Sequence, residues 1–166
     1  MGQMMQQMLI SDANIFIDLD CCGLTALMFS LPYRFCTPDV LFERELRRQH
    51  ANLLQMGLQQ LSLTEQSMIY VVQLSSQYRK TSMHDLMALS LAKQESCPLL
   101  TGDKALRDAA QKEAVLIKGT VWVLEQLVVH QKIDKNQAIM ALDTMKSKGR
   151  RLPFDHAKQI ILNICI

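Results

Sequence analysis

Short apolar runs alternate with longer stretches of helical spacing along most of the chain. The first run, Met8-Leu-Ile-Ser11, leads into the polar turn Asp12-Ala-Asn14, the pattern of a buried strand and its end. Ile15 to Ser30 carries apolar residues at mixed helical spacing with a break at Gly23, which predicts two short helices. Tyr33 to Cys36 predicts a second strand. Thr37-Pro38 predicts a helix start, with Thr as cap and Pro in the first position, and the helix runs to about Gln49. Leu61 to Leu63 predicts a third strand, and Thr64 caps a helix from Glu65 to about Tyr78.

Ser82 opens the clearest helix, whose apolar face comprises Leu86, Leu89, Leu91 and Ala92. Pro98 to Thr101 predicts a buried strand, followed by Gly102-Asp103 and a helix from Lys104 to about Lys112. Val115 to Ile117 predicts a further strand, and Thr120 caps a helix to about His130. Strands alternating with helices in this way indicate an α/β fold with a central parallel sheet. After Lys132 the pattern is helical only. Asp134 caps a helix that Gly149 stops near Ser147, and Leu152-Pro153 starts a last amphipathic segment ending at Ile166. The expected organisation is a body over residues 8–132 and a helical extension over 133–166 packed on the same domain.

Composition narrows this picture. The length of 166 residues suits one domain, and 49% hydrophobic with 20% charged residues indicates a folded core. The five cysteines, Cys21, Cys22, Cys36, Cys97 and Cys165, contain no C-x-x-C pair and no histidine at zinc-ligand spacing, so reduced thiols are expected. Met1 to Met8 lacks the cationic start and apolar run of a secretory signal. No stretch approaches the roughly 18 apolar residues of a membrane span, so a cytoplasmic protein is expected. A net charge of +2 is too mild to mark a nucleic-acid binder, and any such function must rest on local sites.

Candidate chemistry lies in four dispersed acidic residues. Asp12 and Asp103 follow strands, while Glu43 and Asp85 lie near helix starts. In an open parallel sheet, strand ends and the helix starts after them line one edge, where ligands bind. Converging carboxylates resist ionisation without a cation, and hard oxygen ligands suit Mg2+ or Mn2+. Each residue also has a structural role open to it. Asp12 and Asp103 can cap helices, Asp85 stands in an S-x-x-D arrangement with Ser82, and Glu43 can be a solvated charge.

Ser11-Asp-Ala-Asn14-Ile-Phe-Ile-Asp18 resembles the opening strand motif of PIN domains. Thr37-Pro-Asp39 followed by Glu43, then Ser82-Met-His-Asp85-Leu-Met-Ala-Leu, then Leu100-Thr-Gly-Asp103-Lys-Ala-Leu-Arg107, resemble the later acidic blocks in order. Gly119-Thr120 and the Arg-Leu-Pro at 151–153 resemble a PIN subgroup with extra C-terminal helices. The resemblance implies a three-layer α/β/α fold and a metal-dependent ribonuclease, with RNA as substrate. It also implies a toxin–antitoxin setting, with an antitoxin protein or a homodimer as partner. On this basis Asp12, Glu43, Asp85 and Asp103 are the acidic quartet, with Asp12, Asp85 and Asp103 binding the metal and Asn14 and Thr101 as polar helpers. Glu45 competes with Glu43, the two pointing about 200° apart on a helix. Arg44, Lys104 and Arg107 are the candidate phosphate-binding cations; Lys146, Lys148, Arg150 and Arg151 form a denser run whose ordinary role is a solvated face. Asp18, Asp20 and Asp108 are expected to be solvated helix charges, and His84 a partly exposed helix histidine. Two other functions fit the pattern less well. One is a PIN fold serving only as an interaction or RNA-binding module. The other is a receiver-like phosphoacceptor, which lacks its central acceptor Asp because the strand Leu61 to Leu63 ends in Thr64.

Overall fold

A computed structural model describes residues 6–165. Met1 to Met5 and Ile166 lie outside it, and with them most of the N-terminal stretch assessed as a signal and the end of the last amphipathic segment. β1 (Gln7–Ser11) is the centre of a five-stranded sheet ordered β3-β2-β1-β4-β5, in which every pairing is parallel. Its neighbours are β2 (Tyr33–Pro38) and β4 (Leu99–Leu100), with β3 (Gln59–Leu61) and β5 (Ile117–Lys118) at the edges. Helices cover the sheet, giving the expected α/β architecture. Leu9 and Ile10 on β1, Phe35 and Cys36 on β2 and Leu99 and Leu100 on β4 are all buried, as a sheet covered on both faces requires.

The connections are α1 (Ala13–Cys21) and α2 (Thr25–Phe29), then α3 (Asp39–Leu41), a π-helical turn over Phe42–Leu46, α4 (Arg47–His50) and α5 (Leu53–Met56). They continue with α6 (Glu65–Gln77), α7 (Met83–Gln94), α8 (Lys104–Lys112), α9 (Thr120–Val129), α10 (Lys135–Ser147) and α11 (Phe154–Leu162). Thr64 and Ser82 cap α6 and α7 by accepting from Ser67 N and Asp85 N. Asp134 forms a full capping box with Gln137 on α10, and Gly149 leaves that helix at φ +79°, a conformation that favours glycine. Helices α10 and α11 pack on each other and on α9, and α10 also reaches α1.

Several boundaries differ from the sequence pattern. Thr37-Pro38 belongs to β2 and does not open the helix. Pro38 has φ −59° and ψ 137°, an extended conformation, and pairs with Leu61. Thr37 does not cap; its hydroxyl donates across the sheet to the Ser11 carbonyl at 3.1 Å. β3 lies two residues earlier than Leu61 to Leu63, because an edge strand with one neighbour accepts the polar Gln59 and Gln60. β5 is likewise later than Val115 to Ile117: Ala114 turns at φ 61°, Val115 is buried in the turn, and Ile117 and Lys118 pair with Leu99 and Leu100. Thr120 is the first residue of α9 with Gly119 as its cap, and its hydroxyl is used elsewhere.

Candidate active site

The strand order reverses direction at β1. The chain first winds outward through β2 and β3, then returns to place β4 and β5 on the other side. Sheets of this kind open a crevice beyond the strand ends at that reversal, here between β1 and β4. Asp12 and Thr101 are the residues that follow those two strands. The pairing Ser11↔Leu100, extended by the Asp12 N–H to Leu100 carbonyl bond at 3.1 Å, sets them side by side.

Asp12 is fully buried, and its carboxylate has two protein donors. Thr101 Oγ1 donates to Oδ2 at 2.5 Å, and the Ile15 N–H donates to Oδ1 at 3.2 Å. The Asp103 N–H donates to Thr101 Oγ1 at 3.1 Å, and the Leu106 N–H donates to Asp103 Oδ2 at 2.9 Å. A chain of hydrogen bonds thus runs from the start of α8 to the start of α1. Burial is the main reason the Asp12 pKa is raised to about 7; Thr101 opposes the rise, and the charges of Asp85 and Asp18 add to it. Asp85 is raised to about 6, mainly by burial, with Asp103 and Glu45 adding repulsion. Asp12, Asp85 and Asp103 are therefore electrostatic neighbours, as the spacing predicts. Among the described residues no group of three or more acidic, histidine or cysteine side chains is arranged to hold a metal ion. A magnesium ion keeps several waters and takes part of its shell from substrate phosphate, so it asks few ligands of the protein and no closed cage. Thr101→Val, which keeps the shape and removes the donor, is expected to move the Asp12 titration further upward, as read by carboxyl NMR; an unmoved titration would rule out this role for Thr101.

Glu43 and Glu45 both lie in the π-helical turn but face different partners. Phe42 and Leu46 are buried, so the three residues between them form the outward arc. Glu43 is clamped by Arg47 through bonds of 2.7 and 2.6 Å and is held below the ordinary carboxylate range chiefly by that contact. Glu45 instead lies 3.8 Å from His84 Nδ1, and its charge is felt by Asp85. The charge of Glu45 thus acts on Asp85, while Glu43, favoured by the sequence, is paired with Arg47. His84 is half-buried next to it. Arg44, Lys104 and Arg107 are all exposed.

Asp18 departs most from expectation. It is a buried residue at 7% exposure, and not a solvated helix charge. Arg150 Nε donates to its Oδ1 at 2.6 Å, and the Thr120 hydroxyl donates to its Oδ2 at 2.7 Å. Arg150 also donates to the Asn14 side-chain carbonyl at 3.1 Å, so Asn14 is tied to the C-terminal segment. Other members of the basic run are engaged as well: Lys148 Nζ donates to the Cys21 carbonyl at 2.7 Å, and Lys146 lies over Phe154. The only advance sign of this clasp was that Asp18 falls on the side of α1 shared with Ile15 and Leu19.

No curated protein and no solved structure matches the chain at a significant level. A family model described as DUF3368, PIN domain, matches residues 8–164 and so runs through the body and both C-terminal helices. PIN domains are generally nucleases, and among the described residues no helix is long and apolar enough to cross a membrane. The five-stranded parallel sheet and the near-complete family match lead to one conclusion: the chain belongs to the PIN-domain family.

Proposed function

We propose that this PIN domain is a metal-dependent endoribonuclease that hydrolyses RNA phosphodiester bonds with Mg2+ or Mn2+, and that it is the toxin of a toxin–antitoxin pair. The observation that carries the reading is Asp12: a buried carboxylate raised to about 7, at the crevice between β1 and β4, with Asp85 and Asp18 as its charged neighbours. Such a group is costly to ionise unless a cation accompanies the substrate. Asp12, Asp85 and Asp103 would hold the ion, with Glu45 beside them. When bound, the ion supplies activation of a water and stabilisation of charge on the phosphate. Thr101 orients one Asp12 oxygen, and the Leu106 N–H fixes one oxygen of Asp103. Arg44, Lys104 and Arg107 bring positive charge for the RNA backbone. In this reading residues 8–132 carry the acidic site and 133–166 form the extension packed on the same domain; an antitoxin or a second copy is the expected partner.

The test is RNA cleavage by the full chain with Mg2+, Mn2+ or chelator. Cleavage is expected only with metal, and Asp103→Asn is expected to lose at least about 100-fold, as for any residue holding the ion. Glu45→Gln is expected to cost at least about tenfold more than Glu43→Gln, whose partner is only Arg47. Chelator-resistant cleavage would overturn the metal dependence. Absence of cleavage with manganese, alongside retained RNA binding, would leave a binding module in its place. Growth arrest on expression of the wild type but not of Asp12→Asn is the expected sign of the toxin role.

A further inference from the structure

Beside the acidic residues lies a cavity of about 310 Å³, of whose lining the catalytic reading uses only Thr101 and Arg107. Thr101 and Gly102 are among its lining residues, so the cavity begins one residue from Asp103. Its other walls come from α8, from the β5–α9 connection and from the segment between α10 and the end of α11. Arg107, Lys118, Arg151 and His156 line it, together with the apolar Val121, Leu152, Pro153 and Ile160. Asp18 is the one acidic residue in the lining, and its carboxylate is already held by Arg150 and Thr120. The positive charge of the cavity is therefore not cancelled from within.

We propose that this cavity binds one nucleotide of the RNA strand, the nucleotide flanking the scissile phosphate, with its phosphate on Arg107, Lys118 and Arg151 and its base against the apolar residues of the lining. The proposal rests on the nuclease reading for its substrate but not for its geometry. A free anion would need only the cations, and an apolar side chain only the apolar residues of the lining. A nucleotide has both an anionic and a planar apolar end, and the volume lies at the lower limit of ordinary ligand pockets, enough for a single unit. Arg151 also lines the cleft of about 500 Å³ that contains Asp103, Lys104 and Asn14. One guanidinium thus borders both spaces, placed where consecutive phosphates of a strand would pass. Few aromatic residues are needed for such a site, in keeping with the 5% aromatic content.

The cavity has its own reporter. Trp122 is the single tryptophan of the chain and lines the cavity, and Lys118 Nζ lies 4.9 Å from its ring centroid. Titrating the full chain in chelator with the four nucleoside 5′-monophosphates is expected to change Trp122 fluorescence saturably, after correction for nucleotide absorbance. Inorganic phosphate and the free nucleosides are expected to bind at least about tenfold more weakly, since each lacks one half of the recognition. Arg151→Ala is expected to weaken nucleotide binding about tenfold, and Ile160→Phe, which enlarges one apolar residue of the lining, to weaken it comparably; thermal melting establishes that both variants fold. Equal affinity for phosphate and nucleotide would overturn the proposal in favour of a simple anion site. Tighter binding of an acidic peptide than of any nucleotide would overturn it in favour of a protein partner. If metal-dependent cleavage is present but no nucleotide perturbs Trp122, the cavity proposal fails and the nuclease reading stands. If nucleotides bind but RNA is never cut, the cavity proposal is supported and the nuclease reading fails.

Discussion

Asp12→Asn is expected to abolish RNA cleavage while making the metal-free protein more stable at pH about 8. The two effects share one cause. The Asp12 carboxyl has a folded pKa of about 7, whereas an unfolded aspartate titrates near 3.8. Between those values the folded state retains a proton that the unfolded state has released. Unfolding therefore becomes easier as pH rises through the window, by about 1.4 kcal/mol per pH unit at most, and the full loss is present above the folded pKa. Asp85, raised to about 6, acts in the same direction over a narrower window. Asparagine at position 12 still accepts from the Ile15 N–H but has no charge to bury. Melting curves in chelator should thus fall from pH about 5 to 8 for the wild type and stay flatter for the variant. Added Mg2+ should raise the wild-type melting temperature and leave the variant unchanged. Loss of a metal ligand should lower cleavage at least about 100-fold. Parallel melting curves would show that Asp12 is not a strained carboxylate, and wild-type cleavage by the variant would remove it from the mechanism.

Arg150→Ala is expected to have the largest effect on stability outside the core. It leaves Asp18, at 7% exposure, with only the Thr120 hydroxyl to satisfy its carboxylate. Breaking a buried pair from one side costs several kcal/mol because the remaining charge is uncompensated. The Arg150 side chain is 27% exposed, so a loss of about 3 kcal/mol is expected, or roughly 6–12 °C in melting temperature for a chain of this size. Adding Asp18→Asn to Arg150→Ala should restore most of the loss, since it removes the stranded charge. Urea unfolding of the single and double variants measures this directly. A double variant no more stable than Arg150→Ala alone would mean that Arg150 acts through Asn14 or general packing, and not through Asp18.

The parts of this molecule legible in the sequence are those fixed by neighbours along the chain. The turn after β1 and the Thr101-Gly102-Asp103 step after β4 are local patterns, so Asp12 and Asp103 could be placed before any coordinates. Ser82, Thr64 and Asp134 could be identified as caps because a cap acts within three residues of itself. Asp18 could not be read this way. Its partner is Arg150, far along the chain, and a lone acidic residue on a helix is most often solvated. Thr37 and Thr120 were misleading for a related reason: a threonine before a helix looks like a cap, yet these hydroxyls are drawn off by Ser11 and Asp18. The different partners of Glu43 and Glu45 follow from a π-helical turn, for which the residues Phe42 to Leu46 carry no distinguishing pattern.

The strand order also dictates when this molecule can complete itself on the ribosome. β1 is made before the other strands of its sheet, but its second neighbour is β4, and Arg150 emerges later still. Until β4 emerges, Asp12 faces water as an ordinary aspartate and Thr101 is absent. At ordinary synthesis speeds the interval between the appearance of Asp12 and that of Arg150 is on the order of ten seconds. The acidic crevice therefore cannot form before β4 has emerged, and a truncated product ending before β4 would lack it altogether.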